Sequence, residues 1–149
     1  MTREDLIQEL QDAISREYAH WHFYMQAAIT VTGLHREEYK EFFLEEATGE
    51  AKHIQEFGDL IMGLGAIPNS LPASFKESCS TQHLLEYARN MEIEVVEKYT
   101  ELMDKAEELE KNGGMDKVHG RRVHIFLEDQ IQDSSHTVDH INQILGTSW

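Results

Sequence analysis

The sequence predicts an all-α fold: a four-helix bundle with a long crossover between its second and third helices. Three observations predict it. Apolar residues recur every three or four positions through four segments of about 30 residues each, which corresponds to helices of about 45 Å. Glycines mark short turns near residues 33 and 113. Both prolines of the chain lie in the one long connection, residues 66–80. We expect residues 1–149 to form a single domain.

The first two helices are predicted from their caps and their apolar spacing. Thr2 and Asp5 have the spacing of a capping box at the start of helix 1, and Gly33 ends that helix. Helix 2 begins near His35 and runs to Leu64, where the segment "GLGAIPN" closes it. The apolar stripe of helix 1 runs through Leu6, Leu10, Ala13, Trp21, Tyr24, Ala28 and Val31.

The remaining two helices determine the predicted topology. Thr81 is placed to cap helix 3, which runs to "KNGG" at residues 111–114, and helix 4 runs from about Met115 to Leu145. The short turns make helices 1 and 2, and helices 3 and 4, antiparallel hairpins. The connection at residues 66–80, extended, spans roughly 50 Å, so it can cross the length of the bundle. Helices 2 and 3 are therefore expected to run parallel.

Composition narrows the function classes. The formal net charge of −15 argues against nucleic acid or an anionic membrane as a partner and favours cations. Acidic faces are also common simply for solubility. No apolar run approaches the ~20 residues of a membrane span. The single Cys79 excludes an internal disulfide or a cysteine-rich metal site. Since the amino-terminal segment is acidic and amphipathic, it is not a signal peptide, and we expect a cytoplasmic protein.

Polar side chains interrupt the apolar stripe of every helix near its middle. On helix 3 the stripe includes Ala88, Glu92, Val95 and Tyr99, whereas Glu94 lies roughly 200° away from Glu92. Over the whole chain, the candidate site residues are Glu17 on helix 1, Glu50 and His53 on helix 2, Glu92 on helix 3, and Asp133 and His136 on helix 4.

These six residues predict a site for two metal ions. Their positions at mid-helix would bring them to one level of a bundle. Four buried carboxylates would repel one another and stay protonated unless cations shared the site. Glutamate can bridge two ions, and a histidine three residues further on points the same way and supplies one nitrogen to each ion. Polar core residues satisfied by hydrogen bonds are the alternative interpretation. One Glu-x-x-His motif alone would be weak evidence for a metal site. A carboxylate in the apolar stripe of each of the four helices, all near mid-helix, is much stronger evidence.

The pattern of one Glu from each of two helices and a carboxylate-x-x-His from each of the other two resembles the ferritin-like superfamily. The segment "EAKHIQEFGDLIMGLGAIPN" resembles the second helix of bacterioferritins, and "REYAHWHFY" resembles their first helix. The segment "MEIEVVEKY" is similar to the third helix of the Dps-like mini-ferritins. The resemblance implies a ferroxidase that oxidises Fe²⁺ with O₂ or H₂O₂ at a di-iron centre, within a hollow cage that stores iron.

The chain departs from this pattern at helices 2 and 4. Asp133 is one methylene shorter than the usual Glu, so it could bind its metal more loosely. Gly49 and Gln132 stand where the family usually has an Asp that orients the opposing histidine. Ala51 replaces the methionine that ligates haem in bacterioferritins.

Haem remains an open alternative on the outer face of helix 1. Met25 or His22 could hold a haem in a shifted position at the two-fold axis of a dimer. The same face, with Tyr18 and Trp21, also has the composition of a simple aromatic dimer contact.

Other functions stay possible at this stage. They are a di-iron peroxidase of the rubrerythrin type without its Cys₄ domain, a non-enzymatic bundle, and a haem electron carrier. For assembly, helix 4 is followed only by "GTSW", too short for the fifth helix of the larger ferritins. We therefore expect a homo-oligomer of dimers that closes into a twelve-subunit cage.

Overall fold

The computed structural model describes residues 1–149 and consists of four helices. They are α1 (Arg3–Thr30), α2 (Arg36–Gly63), α3 (Thr81–Lys111) and α4 (Lys117–Leu145). One isolated bridge between Thr32 and Ser80 is the sole β-type pairing. None of the helices is both long enough and apolar enough to cross a membrane. The predicted all-α four-helix fold is confirmed.

Local sequence signals set three of the helix ends, the start of α1 and both ends of α4. The Thr2 hydroxyl accepts a hydrogen bond from the Asp5 backbone N–H, and the Asp5 carboxylate accepts one from the Thr2 N–H, so the predicted capping box forms. Asp116 caps α4 by accepting hydrogen bonds from two backbone N–H groups of the first turn. Gly146 ends α4 with φ of 69°, a left-handed conformation that glycine adopts without a Cβ clash.

The connection between α2 and α3 runs along α1 from one end of the bundle to the other. The backbone N–H of Ala73 donates to the carbonyl of Ser15, in the middle of α1. Further along, the backbone N–H of Thr32, just after α1, donates to the carbonyl of Cys79. Residues 64–80 therefore travel the length of α1 and return the chain to the end where α2 began. This is the predicted long crossover, and α2 and α3 run parallel.

The apolar core is divided into two blocks. A block of 16 buried residues fills one half of the bundle and includes Leu10 and Phe57, and a block of 12 fills the other half and includes Phe23 and Phe43. Full burial of a side chain such as Phe57 contributes about 1.5–3 kcal/mol, so these blocks hold the helices together. On each helix the buried positions between the blocks are largely polar. The bundle therefore contains one polar layer at mid-height.

Candidate metal centre

Helices α1 and α3 contribute two glutamates and two tyrosines in a reciprocal arrangement. Each helix carries a Glu followed seven residues later by a Tyr: Glu17 and Tyr24 on α1, Glu92 and Tyr99 on α3. The Tyr24 hydroxyl donates to Oε1 of Glu92 at 2.8 Å, and the Tyr99 hydroxyl donates to Oε1 of Glu17 at 2.6 Å. All four side chains are buried. Each tyrosine fixes one oxygen of the carboxylate on the other helix and leaves the second oxygen for a different partner.

Helix α2 adds a glutamate and a histidine to this layer. Nδ1 of His53 lies 3.3 Å from Oε2 of Glu50 and 3.5 Å from Oε2 of Glu17. One ligand atom from each of these three residues lies within 4.8 Å of the other two, which is the spacing required to share one metal ion. The spacing of three residues between Glu50 and His53 places both on the same face of α2.

Without a cation, protons balance the charge of this cluster. Burial and the neighbouring charge of Glu17 raise the pKa of Glu50 well above its usual range. Burial raises the pKa of Glu92 to about 7 despite the hydrogen bond from Tyr24. Burial acts to raise the pKa of Glu17 as well, but its close polar neighbours Glu50 and His53 outweigh burial and lower that pKa. The ionised form of Glu17 is therefore favoured, while the protonated form of its neighbour Glu50 is favoured.

The imidazole of His53 is held protonated by its carboxylate neighbours. Burial disfavours the imidazolium, but hydrogen bonds to Asp133, Glu17 and Glu50 outweigh burial and raise the pKa of His53. In the absence of metal, this imidazolium supplies positive charge in the place where a cation would otherwise supply it.

Helix α4 meets the cluster differently from the sequence prediction. Its buried positions here are Gln130 and Ser134, whereas the Asp133 side chain is 58% exposed and His136 is exposed. Oδ2 of Asp133 nevertheless lies 2.5 Å from Nε2 of His53. The expectation that Asp133 and His136 continue a buried stripe is therefore wrong, because packing against the other helices buries the neighbouring face of α4, about 100° of rotation away. Their assignment as metal ligands stays a prediction.

Two neighbouring polar spaces lie beside the cluster. An inner cavity of about 170 Å³ lies between α2, α3 and α4, and an outer groove of about 530 Å³ opens between α2 and α4. His53, Asp133 and Gly49 line both spaces, so the groove and the cavity adjoin each other at the edge of the cluster. His136 lines only the groove. The lining of the inner cavity contains no apolar residue and consists of Glu45, Glu46, Gly49, Glu50, His53, Glu92, Asp133, Ser134 and Thr137.

The structure also places at the site residues that the sequence analysis did not single out. The sequence analysis placed Tyr99 only in the apolar stripe of α3. The partner of its hydroxyl group, Glu17, lies on another helix, so the spacing along α3 could not predict it. Glu46 lies one turn before Glu50, and this spacing of four was the available signal. Burial raises the pKa of Glu46 to about 7, and the Thr137 hydroxyl donates to its carboxylate at 3.3 Å.

The residues present suit a divalent transition metal. Oε2 of Glu17 is buried and accepts no hydrogen bond from the protein. An unpartnered buried carboxylate oxygen is costly, and a cation in this position would remove the cost. Carboxylates together with one imidazole are ligands for iron, manganese and zinc. The inner cavity also provides polar space next to the carboxylates of Glu50 and Glu92.

The family of the chain follows from a comparison with family models. The model of the ferritin-like domain matches residues 7–147. The chain belongs to the ferritin-like family. No curated protein sequence matches it significantly.

Solved structures of ferritin-like proteins share this fold over nearly the whole chain. A ferritin-like protein from Bacillus anthracis is 27% identical, with a TM-score of 0.85 and 96% of each chain covered. Bacterioferritin BfrA of Mycobacterium tuberculosis is 16% identical, with a TM-score of 0.80 over 95% of this chain and 84% of that one. A thioferritin from Bacteroides fragilis is 19% identical, with a TM-score of 0.64 over 98% of this chain and 91% of that one.

The haem prediction gains no support from the structure of this ferritin-like chain. Met25 is 37% exposed on the outer face of α1. The imidazole of His22 is half-buried, and its ring centroid lies 5.1 Å from that of Trp21. This surface is equally suited to packing against another protein surface, and haem binding there stays a prediction that depends on assembly.

Proposed function

We propose that the chain is a ferroxidase, which oxidises Fe²⁺ at a di-iron centre within each subunit. The observation that carries the proposal is the buried layer of Glu17, Glu50, Glu92 and His53, in which one oxygen of Glu17 has no hydrogen-bond partner. The relative from Bacillus anthracis is described as a di-iron-carboxylate protein, and so is the Dps protein of Vibrio cholerae. Those descriptions support the same chemistry for this chain.

The proposed ligands divide between two iron positions. Glu17 and His53 bind the first ion, Glu50 bridges, and Glu92 and Asp133 bind the second. Asp133 reaches the site from its half-exposed position on α4, because its carboxylate already contacts His53. The set predicted from the sequence also includes His136. It lies in the outer groove, so it would have to turn inward to act as a ligand.

The protein residues prepare the site for its cationic substrate. Two Fe²⁺ ions each give up one electron. With O₂ as the oxidant and two protons, the products are two Fe³⁺ and one H₂O₂; with H₂O₂ and two protons, they are two Fe³⁺ and two H₂O. Glu50 and His53 release their protons as the cations bind, since positive charge then stabilises the carboxylate and the free imidazole nitrogen. Tyr24 and Tyr99 hold the outer oxygens of Glu92 and Glu17 in place.

The groove between α2 and α4 and the acidity of the chain support a role in iron storage. The groove opens beside His53 and Asp133 of the cluster, and the net charge of −15 would concentrate Fe²⁺ around the protein. We propose a homo-oligomeric cage of twelve subunits that accumulates the oxidised iron. The similar thioferritin from Bacteroides fragilis is described as dodecameric, which supports this number.

The test of ferroxidase activity is the rate of Fe²⁺ oxidation. Chelator-treated protein is loaded anaerobically with Fe²⁺, and the ultraviolet absorbance of Fe³⁺ is followed after O₂ or H₂O₂ is added. We expect a rapid phase that is absent from Glu17→Ala protein and present in Glu97→Gln, a control on the exposed side of α3. Oxidation no faster than that of Fe²⁺ in buffer would refute the proposal.

Assembly and storage are tested on the same protein. Light scattering should give about twelve times the 17.3 kDa chain mass, and aerobic loading should deposit tens of irons or more per chain. A stable dimer or a twenty-four-subunit particle would contradict the proposed number. A maximum of about two irons per chain would indicate a catalytic site without storage.

A further inference from the structure

We infer that Glu46, rather than His136, supplies the remaining protein ligand of the second metal ion. The inference rests on the proposed di-iron centre and changes the ligand set predicted from the sequence. It starts from the position of the two side chains. Glu46 lines the inner cavity together with Glu50 and Glu92, whereas His136 is exposed and lines only the outer groove.

The helix geometry places Glu46 beside the bridging carboxylate. Glu46 lies four residues before Glu50 on α2, so the two side chains project from the same face one turn apart. The side chain of Glu46 is half-buried, and its Oε2 accepts a hydrogen bond from the Thr137 hydroxyl of α4 at 3.3 Å. That contact helps to fix the position of the carboxylate at the cavity. A second ion between Glu50 and Glu92 would therefore find an oxygen ligand there.

The buried groups around the cavity also suit a cation. Glu92 is 2% exposed and lines the cavity, and its Oε1 accepts a hydrogen bond from Tyr24. Glu50 is 3% exposed and lines the same cavity. At the first position, Oε2 of Glu17 is buried and has no hydrogen-bond partner. Buried carboxylates this close together are costly without positive charge to share, and a second ion in the cavity would lower that cost.

The backbone of α2 explains why His136 is not drawn into the site. Gly49 lies on the groove side of α2, and a Cβ built there meets nothing within 4 Å. No side chain at this position can accept a hydrogen bond from an inward-turned His136 and orient it. His136 therefore has no orienting partner at Gly49, and Glu46 already lies at the cavity. In this chain a carboxylate replaces an imidazole at the second position.

Cobalt binding to the chelator-treated, fully assembled protein tests the inference. Co²⁺ is added stepwise and followed by visible absorption and titration calorimetry. The wild-type chain should bind two Co²⁺ per chain. Glu46→Ala should bind one, and Glu46→Gln, which can keep the contact with Thr137, should weaken the second Co²⁺ by at least about tenfold. His136→Ala and the exposed Glu41→Gln should still bind two.

The results separate this inference from the proposed function. If both Glu46 variants bind two Co²⁺ with unchanged affinity, or if His136→Ala loses the second ion, the assignment of Glu46 is overturned while the ferroxidase proposal stands. A wild-type chain that binds a single Co²⁺ also overturns it. A wild-type chain that binds none and does not oxidise Fe²⁺ overturns both. Circular dichroism and light scattering of each variant confirm that the bundle and its assembly are intact.

Discussion

Replacing Glu50 by glutamine should separate the stability of the metal-free protein from the stability that metal binding adds. Glu50 is 3% exposed, and burial together with the charge of Glu17 raises its pKa, which favours its neutral form. Glutamine has nearly the same shape, is neutral, and places an amide group beside Glu17 in the position of the Glu50 carboxyl group. We therefore expect Glu50→Gln to change the unfolding free energy of metal-free protein by less than about 1 kcal/mol, because no buried group loses its partner.

With metal present, the same variant should lose most of the stabilisation. At a free metal concentration 100 times the dissociation constant, one bound ion stabilises the folded state by about 2.7 kcal/mol. An unfolding entropy of about 2.1 cal/mol/K per residue, over 149 residues, converts this into a rise in Tm of about 9 °C. Glutamine cannot supply the anionic bridge, so the rise should largely disappear.

The assay is thermal unfolding, followed by calorimetry, of chelator-treated protein with and without Zn²⁺, an ion that does not change oxidation state. Glu97→Gln, an exposed change of the same kind on α3, serves as the matched control and should keep the full rise. The reasoning would be refuted if Glu50→Gln kept the Zn²⁺-dependent rise. It would also be refuted if the metal-free variant were destabilised by more than about 3 kcal/mol, since that would mean that an ionised Glu50 stabilises the fold.

Three further predictions follow from the same site. Glu92→Ala should abolish rapid Fe²⁺ oxidation and Glu94→Ala should spare it, because Glu92 is buried in the polar layer while Glu94 is exposed. Stopped-flow absorbance of Fe³⁺ measures both rates, and the reverse result would mean that the register of α3 is wrong. The metal-free protein should lose stability as the pH rises from about 4.5 to about 7. Burial raises the folded-state pKa of both Glu46 and Glu92 to about 7, so in that range they bind more protons in the folded than in the unfolded state. Urea unfolding across the range measures how the unfolding free energy changes with pH, and a rise in stability with pH would contradict this prediction. Tyr99→Phe should destabilise the metal-free protein by about 1–3 kcal/mol, because Oε1 of Glu17 loses its hydrogen bond in the core. Urea unfolding measures this cost, and an unchanged midpoint of the urea transition would show that the hydrogen bond contributes nothing to stability.

The sequence predicted the helices because their signals are local. The capping box at Thr2 and the left-handed Gly146 act within one helical turn, so they are readable without a structure. The burial of Glu17 and Glu92 was predicted for the same reason. Each lies within a long run of apolar residues at one helical spacing, and the period of the helix fixes which face they share.

Only the tertiary structure decided how α4 meets the site. Near Asp133, apolar residues lie on more than one side of the helix, and a shift of one residue rotates a side chain by about 100°. The sequence therefore allowed Asp133 and His136 to face inward, and packing buried Gln130 and Ser134 instead. Spacing along one helix does not contain this information, because the choice of face depends on the combined packing of all four helices.

Contacts between helices were likewise decided by the fold. Tyr99 and Glu17 are 82 residues apart in the chain, and Thr137 and Glu46 are 91 apart. The sequence by itself determined which residues could be ligands, because residue chemistry and helical period are local properties. The packing of α2 against α4 determined which of them reach the cavity, because hydrogen bonds and metal ligation act over a few ångströms between segments that only the folded bundle brings together.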